Sequence, residues 1–292
     1  MEVSLSTSAG QGSKHDGTLS AKSPLARARP LLRWAGGKSW LADSHPELIT
    51  GKHRSYIEPF LGGASLFLTA NPSRAYLSDS NEDLITFYKA VARSPEAVWR
   101  AYQRHVEKHC LEHYNSVRTL RTQDAMEEAA RLLYLNRACF NGLYRVNKRG
   151  EFNVPLGSPR FEDLTEDSLM AVAAALQCAD LRAGDFSDAV AMARDGDLLV
   201  LDPPYTVAHN QNGFVRYNEK IFSWEDQIRL AASAEAAVKR GATVVATNAN
   251  HTAVAALYTS EWFKLNTLAR RSSMAARASA RGSFSELLIT SR

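Results

Sequence analysis

The sequence predicts an α/β protein: a mostly parallel sheet covered by helices and interrupted by one inserted block. Three observations support this. Short apolar segments at 56–58, 74–79, 180–182, 198–201 and 243–247 alternate with helical spacing, the pattern of strands joined by crossover helices. Two of these segments run into turns of unusual composition, Gly62-Gly63 and Pro203-Pro204, where α/β sheets form ligand sites. Residues 136–160 then break the alternation with glycines, prolines and asparagines among aromatics.

The elements follow in order. Residues 1–29 are Ser-, Gly-, Ala- and Lys-rich and predict a flexible tail, with order beginning near Leu31. Gly37-Lys38-Ser39 resembles the end of a phosphate loop. That loop needs a glycine at position 32, where Leu32 stands, so nucleotide triphosphatase chemistry is excluded on spacing. A turn before a helix starting near Trp40 is expected instead. Tyr56-Ile57-Glu58-Pro59-Phe60-Leu61-Gly62-Gly63 reads as strand and glycine turn, and helical spacing follows. A second strand at 74–79 ends in Asp79, and Leu84, Ile85, Phe87, Tyr88 and Val91 mark the next helix. Residues 93–135 read as charged helices, 136–160 as a hairpin, and 163–176 as helix. Buried strands are expected at 198–201, 243–247 and 287–289. This divides the chain into a tail at 1–29, a core at 30–92 and 161–292, and an insert at 93–160.

Composition sets limits. The chain has 292 residues, with 35 Lys and Arg against 31 Asp and Glu. That excess does not identify a nucleic-acid binder, so the placement of charge matters more. Cys110, Cys139 and Cys178 form no C-x-x-C pair, which argues against a zinc site or disulfide framework and for reduced thiols. Neither a membrane-spanning run nor a signal-peptide core is present, so a soluble cytoplasmic protein is expected.

Two constellations carry chemistry. A strand, a glycine turn and a helix N-terminus let a ligand approach the backbone, and a carboxylate about 20 residues later can hold ribose hydroxyls. Asp79 occupies that position, giving a nucleoside-binding layout. The second is Asp202-Pro203-Pro204-Tyr205. Its prolines stiffen the chain and remove two N–H donors. The Asp202 carboxylate and the Pro203 carbonyl remain as acceptors, beside the aromatic face of Tyr205. The exocyclic amine of adenine is a poor nucleophile because its lone pair is delocalised into the ring. Two acceptors on its hydrogens would localise that pair, and an aromatic ring would hold the base by stacking.

Four segments in order resemble the Dam-type family of DNA adenine-N6 methyltransferases: Arg33-Trp34-Ala35-Gly36-Gly37-Lys38, Glu58 to Gly63, Asn136 to Gly157, and Asp202 to Tyr205. The likeness runs from about Leu31 to the C-terminus, in the alpha arrangement of amino methyltransferases. It implies a Rossmann-like S-adenosylmethionine-dependent methyltransferase sheet, with a helical and β-hairpin target-recognition domain inserted at 93–160. It implies S-adenosyl-L-methionine as cofactor, S-adenosyl-L-homocysteine as product and no metal.

The resemblance also implies roles. Trp34 and Lys38 would contact the cofactor, Phe60 and Gly62 its methionine side, Asp79 its ribose, and Asp185 and Phe186 its adenine. Asp202, Pro203, Pro204 and Tyr205 would form the catalytic pocket, Asp202 also bordering the cofactor. Thr247 to Asn250 resembles a later active-site loop. Ala64 departs from the family, which often has glycine there.

The insert carries 12 Lys and Arg against 7 Asp and Glu. Arg145 is shaped to read a guanine edge, and Phe140 or Leu143 could enter the base stack as an adenine leaves it. Asn141 could meet the orphaned partner base. Phe140, Asn141, Leu143, Arg145 and Pro155 match the family's recognition hairpin, with Lys148 beside them, and imply a GATC-like site in double-stranded DNA. Arg270, Arg271, Arg277 and Arg281 read as a basic loop. The resemblance places the protein in the cytoplasm of a bacterial, archaeal or phage-infected cell. It permits a cognate restriction endonuclease that the sequence does not show. Methylation of another amine, on RNA adenine or protein glutamine, stays open, as does an inactive DNA-binding relative.

Overall fold

The structure, a computed structural model, describes residues 28–147, 149–206, 222–271 and 283–292. Most of the expected tail lies outside the described residues, as do Lys148, Arg277 and Arg281.

The described strands are β1 (Tyr56–Glu58), β2 (Ala75–Asp79), β3 (Ala179–Ala183), β4 (Leu198–Leu201), β5 (Thr243–Ala249), β6 (Phe263–Arg271) and β7 (Ser283–Ser291). They form one sheet in the order β3-β2-β1-β4-β5-β7-β6. The first five run parallel, with Tyr56 opposite both Ala75 and Leu198, and Leu198 opposite Thr243. β7 enters antiparallel between β5 and β6. Strand order diverges at the β1/β4 boundary, and the carboxyl ends of two such strands are where open α/β sheets form a ligand crevice. Glu58 ends one and Asp202 follows the other.

The alternation of strand side chains divides the core between two faces. Leu198, Val200 and Val245 point into one cluster. Leu199, Leu201, Val244 and Ala246 point into the other, with Ile57. The first cluster is capped by α1 (Ser39–Ser44), α2 (Ser65–Ala70), α3 (Glu82–Arg93) and α7 (Glu166–Leu176). The second lies under α8 (Phe186–Met192) and α9 (Trp224–Lys239). Both faces of β4 are covered, which explains its unbroken Leu-Leu-Val-Leu run.

Between β2 and β3 the chain builds α4 (Pro95–Glu107), α5 (Leu111–Thr119) and α6 (Ala125–Ala138). Pro95 starts α4 at a position that needs no N–H. The Asp124 side chain caps α6 by accepting from Met126 and Glu127 N–H groups. Every α6 residue from Ala129 to Ala138 is buried. Arg131, inside this helix, donates from Nε to the Val117 carbonyl and from a terminal nitrogen to the Arg118 carbonyl, satisfying the carboxyl end of α5. Val98, Tyr102, Tyr114 and Tyr134 belong to the same apolar cluster as Phe67 and Leu77, so the insert shares its core with one face of the sheet. The 92/93 boundary falls at the last turn of α3.

Two expectations change. Arg270 and Arg271, read as part of a basic loop, close β6, which pairs with β7 from Phe263↔Ser291 to Arg271↔Ser283. The alternation Phe263, Lys264, Leu265, Asn266 fits a strand, but the polar Thr267 interrupts it before Leu268 and masks the signal. Asn136 and Arg137, read as the start of the hairpin, instead finish α6 and are buried. Among the described residues no helix is long and apolar enough to cross a membrane.

Candidate active site

β4 delivers Asp202 to the crevice, and four other segments hold the tetrapeptide in place. Thr247 Oγ1 donates to Asp202 Oδ1 at 2.6 Å, and Lys38 Nζ lies 2.8 Å from the same oxygen. Among the described residues no hydrogen bond reaches Oδ2. Gln227 of α9, fully buried, donates to the Pro204 carbonyl at 3.2 Å. Its own carbonyl oxygen accepts from the Asn248 amide at 2.9 Å. Tyr205 donates its hydroxyl to Glu286 Oε2 on β7 at 2.8 Å. The Lys38 ammonium stands 4.9 Å from the Tyr205 ring centre and also donates to the Gly36 carbonyl at 3.0 Å. Burial raises the Asp202 carboxyl above its ordinary range, while Lys38 and the Thr247 hydroxyl pull it back. Burial, with Asp202 and Glu286 nearby, pushes the Tyr205 phenol well above its usual value, so it stays a neutral donor.

The glycine turn is built around two carboxylates. Gly62 N–H donates to Asp79 Oδ2 and Asn81 N–H to Oδ1, each at 3.0 Å. Asp79 is thus seated at the end of β2 and braces the turn, and burial raises its carboxyl. Glu58 is buried and accepts from the Tyr56 hydroxyl at 2.9 Å. Burial is the main cause that lifts its carboxyl to about 8, with Asp202 and Asp79 adding to it. Gly62 has a left-handed φ of +47°, and a Cβ there would stand 3.0 Å from the Trp34 ring. Trp34 stacks on Tyr144 at 5.2 Å between ring centres, so one indole joins the glycine turn to the insert. Ala64 also adopts the left-handed region, φ 59° and ψ 21°, which is why glycine suits that position.

At the end of β3, Asp185 caps α8 by accepting from Ser187 N–H at 2.9 Å. Burial pushes its carboxyl upward, but hydrogen bonds from Arg229 and Ser187 outweigh that and hold it at about 2. Arg229 reaches Asp185 at 2.9 Å and lies over the Phe186 ring at 4.7 Å. Phe186 in turn stacks with Phe60 at 5.6 Å. Phe60, Gly62, Asp79, Asp185 and Phe186 therefore line the carboxyl ends of β1, β2 and β3. A glycine turn where a Cβ at Gly62 would press on Trp34, two seated acceptors and an aromatic pair fit a nucleoside-bearing ligand.

The hairpin is irregular but real. Cys139 bridges to Leu156 and Val146 to Phe152, and Asn147 with Gly150 makes the turn. Phe140 is 52% exposed beside Asn141, which holds a left-handed φ of 55°. Leu143 packs against the core. Arg145 is exposed, with Nε bound to Asn153 Oδ1 at 2.7 Å, and Pro155 is exposed. Asn136 accepts from Arg33 N–H and donates to the Arg33 carbonyl, both at 2.8 Å, and it also reaches the Gly142 carbonyl at 3.1 Å. Arg137 donates to the Leu31 carbonyl. These two residues fasten the N-terminal segment to the insert and are not solvent-facing.

Three contributors escaped the sequence reading: Gln227, Arg229 and Glu286. Each lies outside the motifs. Only Glu286, an acid inside an apolar strand, leaves a trace, since a buried carboxylate needs a partner. Thr247 ends the expected strand at 243–247 and opens the expected loop at 247–250; β5 runs on to Ala249, so Thr247, Asn248 and Ala249 lie in the strand itself.

Comparison with known proteins agrees with this geometry. A family model described as D12 class N6 adenine-specific DNA methyltransferase matches residues 34–274. The chain is similar to a DNA adenine methylase of Escherichia coli K12, at 35% identity over 90% of this chain and 95% of that protein. It is 31% identical to the type II methyltransferase M1.LlaDCHI of Lactococcus lactis subsp. cremoris, over 90% of this chain and 95% of its relative. A DNA N-6-adenine-methyltransferase of Escherichia phage P1 is 33% identical over 89% of this chain, which spans 35% of that longer protein.

Proposed function

We propose, from the premise that this chain belongs to the D12 class N6 adenine-specific DNA methyltransferase family, that Asp202-Pro203-Pro204-Tyr205 is the pocket for the target adenine. The observation that carries this assignment is the seating of Asp202. Its Oδ1 is occupied by Lys38 and Thr247, and its Oδ2 is the acceptor left for an incoming amine.

S-adenosylmethionine, when bound, supplies an electrophilic methyl group. Trp34, Phe60, Gly62, Asp79, Asp185 and Phe186 would hold it, and Arg229 would have to share Asp185 and Phe186 with it. Asp202 and the Pro203 carbonyl accept the two N6 hydrogens and turn the lone pair towards the methyl. Tyr205 stacks on the base. Lys38 and the Thr247 hydroxyl oppose the burial that raises the Asp202 carboxyl and hold its Oδ1 in place before the base arrives. The chain's contribution is positioning and fixed polar groups.

A base inside a duplex cannot reach this pocket, so the adenine leaves the stack. The insert at 93–160 serves recognition in this reading, and the core at 30–92 and 161–292 serves catalysis. Phe140, exposed at the hairpin, is better placed to fill the vacated stack than the packed Leu143. Arg145 reads a guanine edge after leaving Asn153, with Asn141 and Pro155 beside it. A GATC-like site follows from that hairpin.

Methylation-sensitive sequencing of DNA from cells expressing the chain tests the reading. The expected result is N6-methyladenine in one short motif containing guanine beside the target. Modified cytosine, or label found only on RNA or protein in a parallel tritiated-methyl assay, would overturn it.

A further inference from the structure

The proposed pocket depends on a residue that neither motif contains. Glu286 sits in the interior of β7, opposite Ala249 of β5 and Leu268 of β6, and is 3% exposed. A carboxylate buried in a strand is costly unless it is bonded to a donor or a cation. Here it has both. Its Oε2 accepts from the Tyr205 hydroxyl at 2.8 Å and lies 3.7 Å from Lys38 Nζ. Lys38 is itself 2.8 Å from Asp202 and 4.9 Å from the Tyr205 ring centre. One ammonium thus stands between two carboxylates, and one of those carboxylates fixes the far end of the aromatic ring.

Tyr205 needs such an anchor. It follows two prolines on a segment that is neither helix nor strand, so side-chain contacts set its ring. A bond from its hydroxyl to a rigid antiparallel strand restricts both the reach of the side chain and the plane of the ring. Stacking is sensitive to that plane, and a displaced face would misalign the amine relative to Asp202.

We propose that Glu286 is a positioning residue for adenine methylation, acting through the hydroxyl of Tyr205. The inference rests on the reading that Tyr205 stacks on the target base. If Glu286 acts through that hydroxyl, removing the hydroxyl and removing the carboxylate are the same lesion, and their effects do not add.

The test is a double-mutant cycle on the full chain with Glu286→Ala, Tyr205→Phe and the double variant, plus Glu286→Gln. Single-turnover methyl transfer is measured on duplex DNA at saturating S-adenosylmethionine, with cofactor affinity and thermal unfolding measured alongside. Glu286→Ala and Tyr205→Phe are each expected to slow transfer about tenfold to a hundredfold, as small misplacements do. The double variant should be no slower than the slower single. Glu286→Gln, whose amide oxygen still accepts, should recover most of the rate, and cofactor affinity should stay unchanged. If Glu286→Ala fails to fold, Tyr205→Phe and Glu286→Gln decide.

A Tyr205→Phe variant at the wild-type rate, multiplicative effects in the double, or a Gln variant as slow as Ala would each overturn the inference. A wild-type chain that transfers no methyl to duplex adenine would overturn the underlying reading, and the inference with it. An active wild type with unaffected variants would overturn the inference alone.

Discussion

Ala64 shows what one methyl group means in the glycine turn. The sequence marks it only as a departure from a family that often has glycine there. The backbone supplies the reason: at φ 59° and ψ 21° an L-residue pays a steric penalty of about 1–2 kcal/mol that glycine avoids. Against this, glycine loses more entropy on folding, by roughly 0.5–1 kcal/mol, and the buried methyl is lost. Ala64→Gly is therefore expected to leave stability unchanged or raise it by up to about 1 kcal/mol, read from denaturant unfolding. A clear loss of stability would contradict the strain. At this same scale the motif residues were legible because their types are unusual in sequence. Two prolines after four buried aliphatics announce a site. Gln227 and Glu286 were not legible, because nothing in a lone Gln or Glu tells which carbonyl or hydroxyl it will reach from another strand or helix.

At the scale of elements, β1 and β4 lie side by side and bring Glu58 and Asp202 together at their carboxyl ends, with Asp79 from β2 close by. Three ionised acids there would repel one another without water to screen them. Glu58 yields: burial first, then its acidic neighbours, lift its carboxyl from the ordinary 4.5 to about 8. A folded-state value above the unfolded one means that its contribution to stability is whole below about 4.5 and is lost as pH rises towards 8. The wild-type chain should therefore lose unfolding free energy across that interval. Glu58→Gln, which cannot ionise and still accepts from Tyr56, should flatten the slope, as urea titrations at several pH values would report. An unchanged slope would place the titration elsewhere. Element type was mostly legible, since buried strands and amphipathic helices keep their periods. β6 was missed because its alternation is interrupted at Thr267, and its strand character is completed by nine register pairs with β7. The end of α6 was missed because Asn136 and Arg137 are polar by type, yet they are buried by their bonds to Arg33 and Leu31.

At the scale of the whole molecule, the sheet gathers residues from distant segments around one crevice. Lys38 arrives from the N-terminal segment, Asp202 from β4, Thr247 from β5 and Glu286 from β7. Tyr144 of the 136–160 hairpin packs against Trp34, so that hairpin and the glycine turn share an aromatic contact. Such convergence is a property of strand order, which hydropathy does not encode. What the sequence does carry is the order of its motifs, and family membership follows from that order over residues 34–274. In the proposed mechanism the seated carboxylate of Asp202 directs methyl transfer to adenine N6. The most direct test of that claim is nucleoside mass spectrometry of duplex DNA after a single turnover with the wild-type chain and with Asp202→Ala, alongside DNA- and cofactor-binding titrations. The expected result is N6-methyladenine from the wild type and essentially none from the variant, which still binds both ligands. N6-methyladenine formed by Asp202→Ala at a comparable rate would contradict the claim.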